Sequence, residues 1–414
     1  MADRQYEAVV FGATGYTGKL TAEYITANLP TDFKWAIAGR SESKLNALLQ
    51  ELKSQNPNRA LPGVEVAQLE KADLERLAKT TKVLITTVGP YHKYGTAVVE
   101  ACVETGTHYL DVTGEVPWVK DIIDHHHAKA KLNGAIIIPQ NGIESAPTDL
   151  MCWALVSHIR RTLNVGTGEI IYSIHDINAS ASGGTLSTVL TLFDSYSLFA
   201  LSKSFARWSQ STVIPPQQSY SKSIYERLTG LRTVPDLGGL LTDSIQGPTD
   251  TPLVHRSWSL FDGGKFYGPN FYLNPYMRAK GMIRGLAVHV GLTFGFLALI
   301  IPPVRWLLQK LVTQPGDGPS KEQASKEYVE WRAIAHADVE DPSDPKRVMG
   351  TMRYDGSMYY LTGLLLAEAA ITIARDQTPA HELEGGVLTP ATLGEAYLER
   401  VKKGGLKTEI RMMP

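Results

Sequence analysis

Cysteine is nearly absent: the 414 residues include two, Cys102 and Cys152. Two thiols cannot build a disulfide framework or a multi-cysteine zinc site, and they suit a reducing compartment. A basic excess is also missing, since 41 Lys and Arg face 42 Asp and Glu, for a net charge of -1. With no surplus cations to neutralise phosphates, nucleic acid is not an expected partner. The start, Met1-Ala-Asp-Arg-Gln-Tyr-Glu7, lacks the basic and then apolar pattern of a secretory signal. A cytoplasmic location is therefore expected. The ending, Arg411-Met-Met-Pro414, carries no lipidation or retention motif. His-Glu-x-x-His and paired-cysteine spacings are absent as well, so no metal is expected.

What is present is ordinary globular composition, 43% hydrophobic and 20% charged, in a chain too long for one core. Short apolar runs at 6–11, 35–38, 64–68, 83–88, 108–111 and 135–139 read as strands. Helical patterns separate them, from about 17, 41, 73, 96 and 119. That alternation predicts an α/β fold with a doubly wound parallel sheet over 1–148. After it the pattern changes. Strands are expected at 169–178, 254–261, 328–338 and 348–354, and helices at 185–199, 285–301 and 361–376. The polar stretch 209–250 reads as long loops. This mixture predicts a second, α+β substrate domain over 149–385, with 386–414 a C-terminal helix and tail that packs back on the first domain. His125, His126 and His127 lie in a polar helix, and a solvated face is expected there.

The first strand runs directly into Gly12-Ala13-Thr14-Gly15-Tyr16-Thr17-Gly18 and a helix. Glycines after a strand and before a helix let the backbone approach a pyrophosphate, which sits at the helix's positive end. The fold is therefore expected to be of Rossmann type, binding a dinucleotide through Gly12, Thr14, Gly15, Tyr16, Thr17 and Gly18. NAD sites carry an acid at the end of the second strand. Here Gly39-Arg40-Ser41 stands there, with Lys44 one turn on. Arg40, Ser41 and Lys44 suit a 2′-phosphate, so the expected cofactor is NADP(H).

In such a sheet, ligands lie beyond the carboxyl ends of the strands. The fourth strand ends at Thr87-Val88-Gly89-Pro90-Tyr91-His92, which should pass near the nicotinamide ribose. Tyr91, His92 and Tyr94 are candidate proton donors, with Tyr94 also a candidate substrate contact. The fifth strand brings Asp111, Thr113 and Glu115 to the same cleft, and the sixth brings Asn141. Tyr-x-x-x-Lys, the short-chain dehydrogenase signature, occurs once, at Tyr276–Lys280. It falls far beyond the Rossmann strands and is set aside.

Several blocks together resemble the saccharopine dehydrogenase-like oxidoreductases, the group that includes trans-acting enoyl reductases. They are Gly12–Gly18, Ala38-Gly39-Arg40, Val88-Gly89-Pro90-Tyr91 with Tyr94-Gly95, His108–Glu115, Ser182-Gly183-Gly184-Thr185 and Gly385–Ala391. The resemblance covers nearly the whole chain. It implies an NADP-dependent reductase of an activated C=C bond in an apolar, carrier-tethered or polyketide-like acyl substrate. It adds Gly183, Gly184 and Thr185 as candidate substrate-binding residues. The chain departs from the family at Gln140–Asp149, where Asn141 and Glu144 replace a cysteine and an aspartate. An imine reductase is the alternative on this scaffold; a nearby carboxylate such as Glu115 would stabilise an iminium.

The stretch from Gly285 to Ile301 is apolar except for His289 and Thr293. Arg284, Arg305, Trp306 and Lys310 flank it. Its length fits a helix buried in the second domain, a peripheral contact with a membrane or lipid droplet, or a span. A non-catalytic NADP-binding protein of lipid surfaces is thus a further alternative, and a homodimer is compatible with the sequence.

Overall fold

A computed structural model describes residues 4–179, 190–215, 222–311, 319–339 and 345–414. The first part is β1 (Tyr6–Phe11), α1 (Tyr16–Asn28), β2 (Trp35–Gly39), α2 (Glu42–Gln55), β3 (Gly63–Val66) and α3 (Lys71–Thr80), followed by β4 (Thr81–Thr86), α4 (Tyr91–Thr105), β5 (His108–Leu110), α5 (Val116–Leu132) and β6 (Ile136–Ile138). These strands pair in parallel in the order β6-β5-β4-β1-β2-β3. Val9, Val10, Leu84 and Ile85 are wholly buried, because helices cover both faces of the sheet. That is why the strands read as unbroken apolar runs rather than alternating ones.

The second part begins with α6 (Ala146–Leu163) and β7 (Gly166–Asn178). Then come α7 (Leu198–Ser204), α8 (Ile224–Thr229), β8 (Arg232–Val234), β9 (Gly239–Asp243), α9 (Gly247–Leu260) and β10 (Tyr272–Arg278). The apolar helix α10 (Met282–Leu299) and α11 (Pro302–Leu311) precede β11 (Tyr328–Asp338) and β12 (Arg347–Asp355). The chain ends with α12 (Met358–Arg375), β13 (Gly386–Val387), α13 (Gly394–Lys403) and β14 (Lys407–Met412). The second sheet has the order β14-β12-β11-β7-β10-β9-β8. It is antiparallel except where β10 pairs with β7. Both the parallel sheet and a second sheet-bearing part are thus as the sequence predicts.

The two parts are stitched rather than merely adjacent. β13 adds to the edge of the first sheet beside β6, and β14 adds to the second beside β12. The tail after α13 is therefore a strand. α12 is buried along nearly its whole length and lies against α1, where the Tyr24 hydroxyl donates to Glu368 Oε1 at 2.7 Å. Each Leu or Ile buried on that helix contributes about 1.5–3 kcal/mol relative to exposure. The expected boundary at 148 falls inside α6.

Four expectations need correction. Residues 254–261 form no strand; they belong to α9, whose residues from Pro252 to Leu260 are all buried. A helix buried all round has no apolar stripe, so its period is not visible. The supposed loops of 209–250 include α8, β8 and β9. α4 starts at Tyr91 instead of residue 96, with Pro90 as its N-cap. His127 is not on a solvated face: its Nδ1 accepts the backbone N–H of Val387 at 3.0 Å and a bond from Arg256 Nη2 at 3.1 Å. Burial, then Arg256, pushes its pKa down to about 4.

Candidate active site

The glycine loop is built from two kinds of glycine. Gly12 has φ +84°, and a Cβ there would lie 2.7 Å from Val88 Cγ2 and 2.9 Å from Thr87 Oγ1. A Cβ on Gly18 would collide with the Gly12 carbonyl oxygen. Both positions let β1, β4 and α1 converge. At Gly15 only the Gly12 oxygen, at 3.3 Å, would be near. Thr14 and Gly15 form the exposed tip. α1 has Gly15 as N-cap, no side-chain cap bond and no acid in its first turn. The N–H groups of Tyr16, Thr17 and Gly18 therefore begin a helix with no side chain satisfying them, which suits a pyrophosphate. The Tyr16 side chain points away to the second part: its hydroxyl donates to the Pro319 carbonyl at 3.1 Å, and its ring meets Tyr359 edge-on.

Ser41 caps α2 by accepting the Lys44 N–H at 3.5 Å. Arg40 and Lys44 are exposed beside it at the end of β2. Across the loop, Thr87 Oγ1 donates to the carbonyls of Phe11 and Gly12, at 3.3 and 3.2 Å, and the Val88 N–H donates to Thr86 Oγ1. Gly89 and Pro90 follow through a cis peptide and lead into α4.

The early start of α4 changes what its first residues can do. Tyr91 is 6% exposed, and its hydroxyl donates to the Thr86 carbonyl at 3.2 Å. Burial, then Asp111, pushes its pKa well above the ordinary phenol value. Tyr91 packs on Trp118 and is not placed as a proton donor. Glu115 is also engaged: its carboxylate accepts the N–H of Tyr91 at 2.7 Å and of His92 at 2.8 Å, capping α4 from another loop. One of its oxygens lies 2.5 Å from His92 Nδ1. His92 Nε2 is buried and has no hydrogen-bond partner. His92 lines a groove of about 460 Å³ between α4 and α5, together with Thr96, Trp118, Asp121, Ile122 and Tyr196. Tyr196 arrives from the second part and donates to Asp121 Oδ2 at 3.0 Å. Tyr94 is exposed one turn into α4.

Asp111, Thr113 and Asn141 turn inward, against the expectation that they meet substrate. Asp111 accepts the Tyr109 hydroxyl at 2.6 Å, the Thr113 N–H at 2.8 Å and the Gln140 N–H at 3.0 Å. Burial pushes its pKa up to about 7. Thr113 Oγ1 accepts the Glu115 N–H. Asn141 donates to the Leu365 carbonyl and accepts the Tyr397 hydroxyl, so it joins the sheet to α12 and α13. Gly183, Gly184 and Thr185 lie outside the described residues. Tyr276 is buried on β10, in the second sheet and away from the glycine loop.

Two carboxyls escaped the sequence reading. Glu144 places an oxygen 3.2 Å from where a Cβ on Gly114 would stand, just beyond β5. Asp250 is wholly buried on α9, where the Thr148 side chain is the one group that eases its charge. Burial raises both pKa values, that of Asp250 far above the carboxylate range, and Glu144 adds to the Asp250 shift. Glu144 stands in the Gln140–Asp149 block already singled out as unusual. Asp250 gave no signal, because it ends a stretch that resembles a loop. Among the described residues no cluster of His, Cys, Asp and Glu could hold a metal.

A parallel sheet in this strand order, with a glycine turn opening α1 and Arg40-Ser41 in place of an acid directly at the end of β2, defines a Rossmann-type NADP(H)-dependent oxidoreductase. Comparison with known proteins narrows the class. Residues 8–138 match the model of the saccharopine dehydrogenase NADP binding domain. A trans-acting enoyl reductase of Mycobacterium ulcerans is 31% identical over 429 residues, covering 98% of this chain and 97% of the relative. One from Mycobacterium tuberculosis is 30% identical over 427 residues, with the same coverage. Saccharopine dehydrogenase (L-Glu forming) of Saccharomyces cerevisiae shares the fold, with a TM-score of 0.55 at 12% identity, over 98% of this chain and 99% of that one. The chain belongs to the saccharopine dehydrogenase-like oxidoreductases, the family that includes the trans-acting enoyl reductases.

Proposed function

We propose that this protein is an NADPH-dependent enoyl reductase, acting on an α,β-unsaturated acyl group that is presented in trans on a carrier. The observation that carries the reading is His92. It is the second residue of α4, just past the loop that follows β4, its Nδ1 is fixed by Glu115, its Nε2 is unpartnered, and it borders a largely polar groove in which Trp118 and Ile122 supply the apolar surface. Full-length similarity to trans-acting enoyl reductases supports the choice of reaction.

On this reading the N–H groups of Tyr16–Gly18 hold the pyrophosphate, with Gly15 leaving room for it. Arg40 and Lys44 take the 2′-phosphate, and Thr87–Pro90 flank the nicotinamide ribose. When bound, NADPH supplies the hydride that adds to the β-carbon. His92, held at Nδ1 by the Glu115 carboxylate, delivers a proton from Nε2 to the α-carbon. Trp118 and Ile122 exclude water along the acyl chain. Glu115 is a positioning residue.

The test is NADPH consumption with enoyl thioesters, free and carrier-linked, beside cyclic imines. Turnover of carrier-linked enoyl substrate, lost in His92→Ala, is expected. Turnover of imines alone, or full activity in His92→Ala, overturns the proposal.

A further inference from the structure

We propose that α10 and α11 form a hairpin that docks on an anionic phospholipid bilayer, lying within its interface and not crossing it. The proposal stands on the surface of the second part and does not depend on the reaction.

α10 is long and apolar enough to cross a membrane, yet only 6% of its residues are buried in the protein. Ile283 is 86% exposed, Phe294 63% and Trp306 59%, and Leu297, Ile301 and Leu307 are about half exposed. A core helix of a water-soluble domain would bury these side chains. The opposite side of the hairpin is firmly held. The Gly285 carbonyl accepts the Thr242 hydroxyl at 2.8 Å, and His289 Nδ1 lies 2.6 Å from Asp243 Oδ2 on β9. Phe296 packs edge-on against Phe193 at 5.2 Å. Arg305 donates to the carbonyls of Leu299 and Ile300 and pairs with Asp194, locking α11 to the end of α10. Exposure is therefore fixed on the outer face where Gly285 and His289 hold α10, and from Thr293 to Leu297 it extends round the helix.

The same anchorage argues against a span. A helix of this length is about 27 Å long, close to the hydrocarbon thickness. Crossing would draw Gly285 and His289 off β9 and break their contacts with Thr242 and Asp243. In-plane insertion keeps the contacts with β9 and immerses the exposed side chains.

Charge selects the partner. From Lys280 to Thr313 the sequence holds Lys280, Arg284, Arg305 and Lys310 and no Asp or Glu. Arg284 and Lys310 are exposed at the two ends of the hairpin. Lys310 Nζ lies 3.4 Å from the Trp306 ring centroid, and Trp beside a cation suits the headgroup zone. Lys280 and Arg305 already pair with Asp176 and Asp194, so a two-fold dimer through this face would set the exposed Arg284 and Lys310 against their own copies. Anionic headgroups match it instead.

The experiment is sedimentation of the full chain with vesicles of phosphatidylcholine, alone and mixed with phosphatidylglycerol. The wild type is expected to bind the mixed vesicles at least tenfold better, with binding that weakens as salt rises. Phe294→Asp with Leu297→Asp is expected to lower partitioning about 100-fold, because two buried apolar side chains become charged. Arg284→Gln with Lys310→Gln is expected to remove most of the preference for the anionic vesicles while leaving the apolar contribution. Thermal melting and NADPH binding, unchanged in both variants, show that the fold is kept. If the wild type ignores both vesicle types and instead dimerises in a way that Phe294→Asp abolishes, the face is a self-association surface and the proposal falls. Undiminished vesicle binding by the Phe294→Asp and Leu297→Asp variant also overturns it.

Discussion

His92 and Glu115 form one unit: a carboxylate oxygen lies 2.5 Å from the imidazole Nδ1 and also accepts the His92 backbone N–H. The loop after β5 thus sets the imidazole in the first turn of α4, and the ring cannot turn without losing the carboxylate that also caps the helix. His92→Ala should lower kcat by about 10²–10⁴ with NADPH affinity unchanged. Glu115→Gln should lower kcat in the same direction. The double variant should be no slower than His92→Ala alone, because residues that act as a unit are not additive. Single-turnover hydride transfer across the four proteins checks this, and independent losses would separate the two residues.

Arg40 is exposed at the end of β2. Arg40→Ala should weaken NADPH binding by about 1–3 kcal/mol and leave NADH nearly untouched. Calorimetry with both cofactors decides the matter, since equal losses would take the 2′-phosphate away from Arg40.

Gly15 and Gly18 should fail in opposite ways. Gly15→Val has only the Gly12 carbonyl oxygen close to its Cβ, at 3.3 Å, and sends its methyls where the pyrophosphate belongs. Melting should be unchanged in its absence, and the NADPH-induced rise in Tm should vanish. Gly18→Ala drives a methyl into the Gly12 carbonyl. It should destabilise the protein by about 1–3 kcal/mol or more before any cofactor is added.

Asp250 gives a pH dependence of known sign. Burial raises its carboxyl far above the ordinary carboxylate range. Between that range and its raised value, the folded state keeps a proton that the unfolded state has lost, so stability falls as pH rises through this window. Asp250→Asn removes the titration. Its Tm gain over wild type should be larger at pH 8 than at pH 5 by thermal melting, and an equal gain at both would refute the assignment.

The nucleotide-binding part was legible because each local signal agreed with the next. An apolar strand ran into a glycine turn, and Ser41 capped the following helix. The site beyond the fourth strand was half legible. His92 and Glu115 could be named, but not that one carboxylate caps α4 and so turns Tyr91 inward. Asn141 was misplaced for a related reason: both ends of its amide are used by Leu365 and Tyr397, more than 200 residues away in sequence. No local pattern carries contacts of that range. The helix at Gly247–Leu260 was hidden by burial on every side. The apolar stretch from Gly285 was visible, but which neighbours would cover it was not, because β9 meets only its inner face.

The placement of β13 bears on the order of events during synthesis. The nucleotide-binding sheet has all but its last strand once β6 emerges, yet that strand is Gly386–Val387, and the second sheet also waits for Lys407–Met412. At typical ribosomal speeds the interval between β6 and β13 is roughly 10–50 seconds. Throughout it the edge of β6 has no neighbour, and α1 lacks the helix that will cover it. The nascent chain must therefore pass through a stage with a bare strand edge on the β6 side of the nucleotide-binding sheet. Completion of both halves waits on Gly386–Met412, which makes that stretch the step that commits the two sheets.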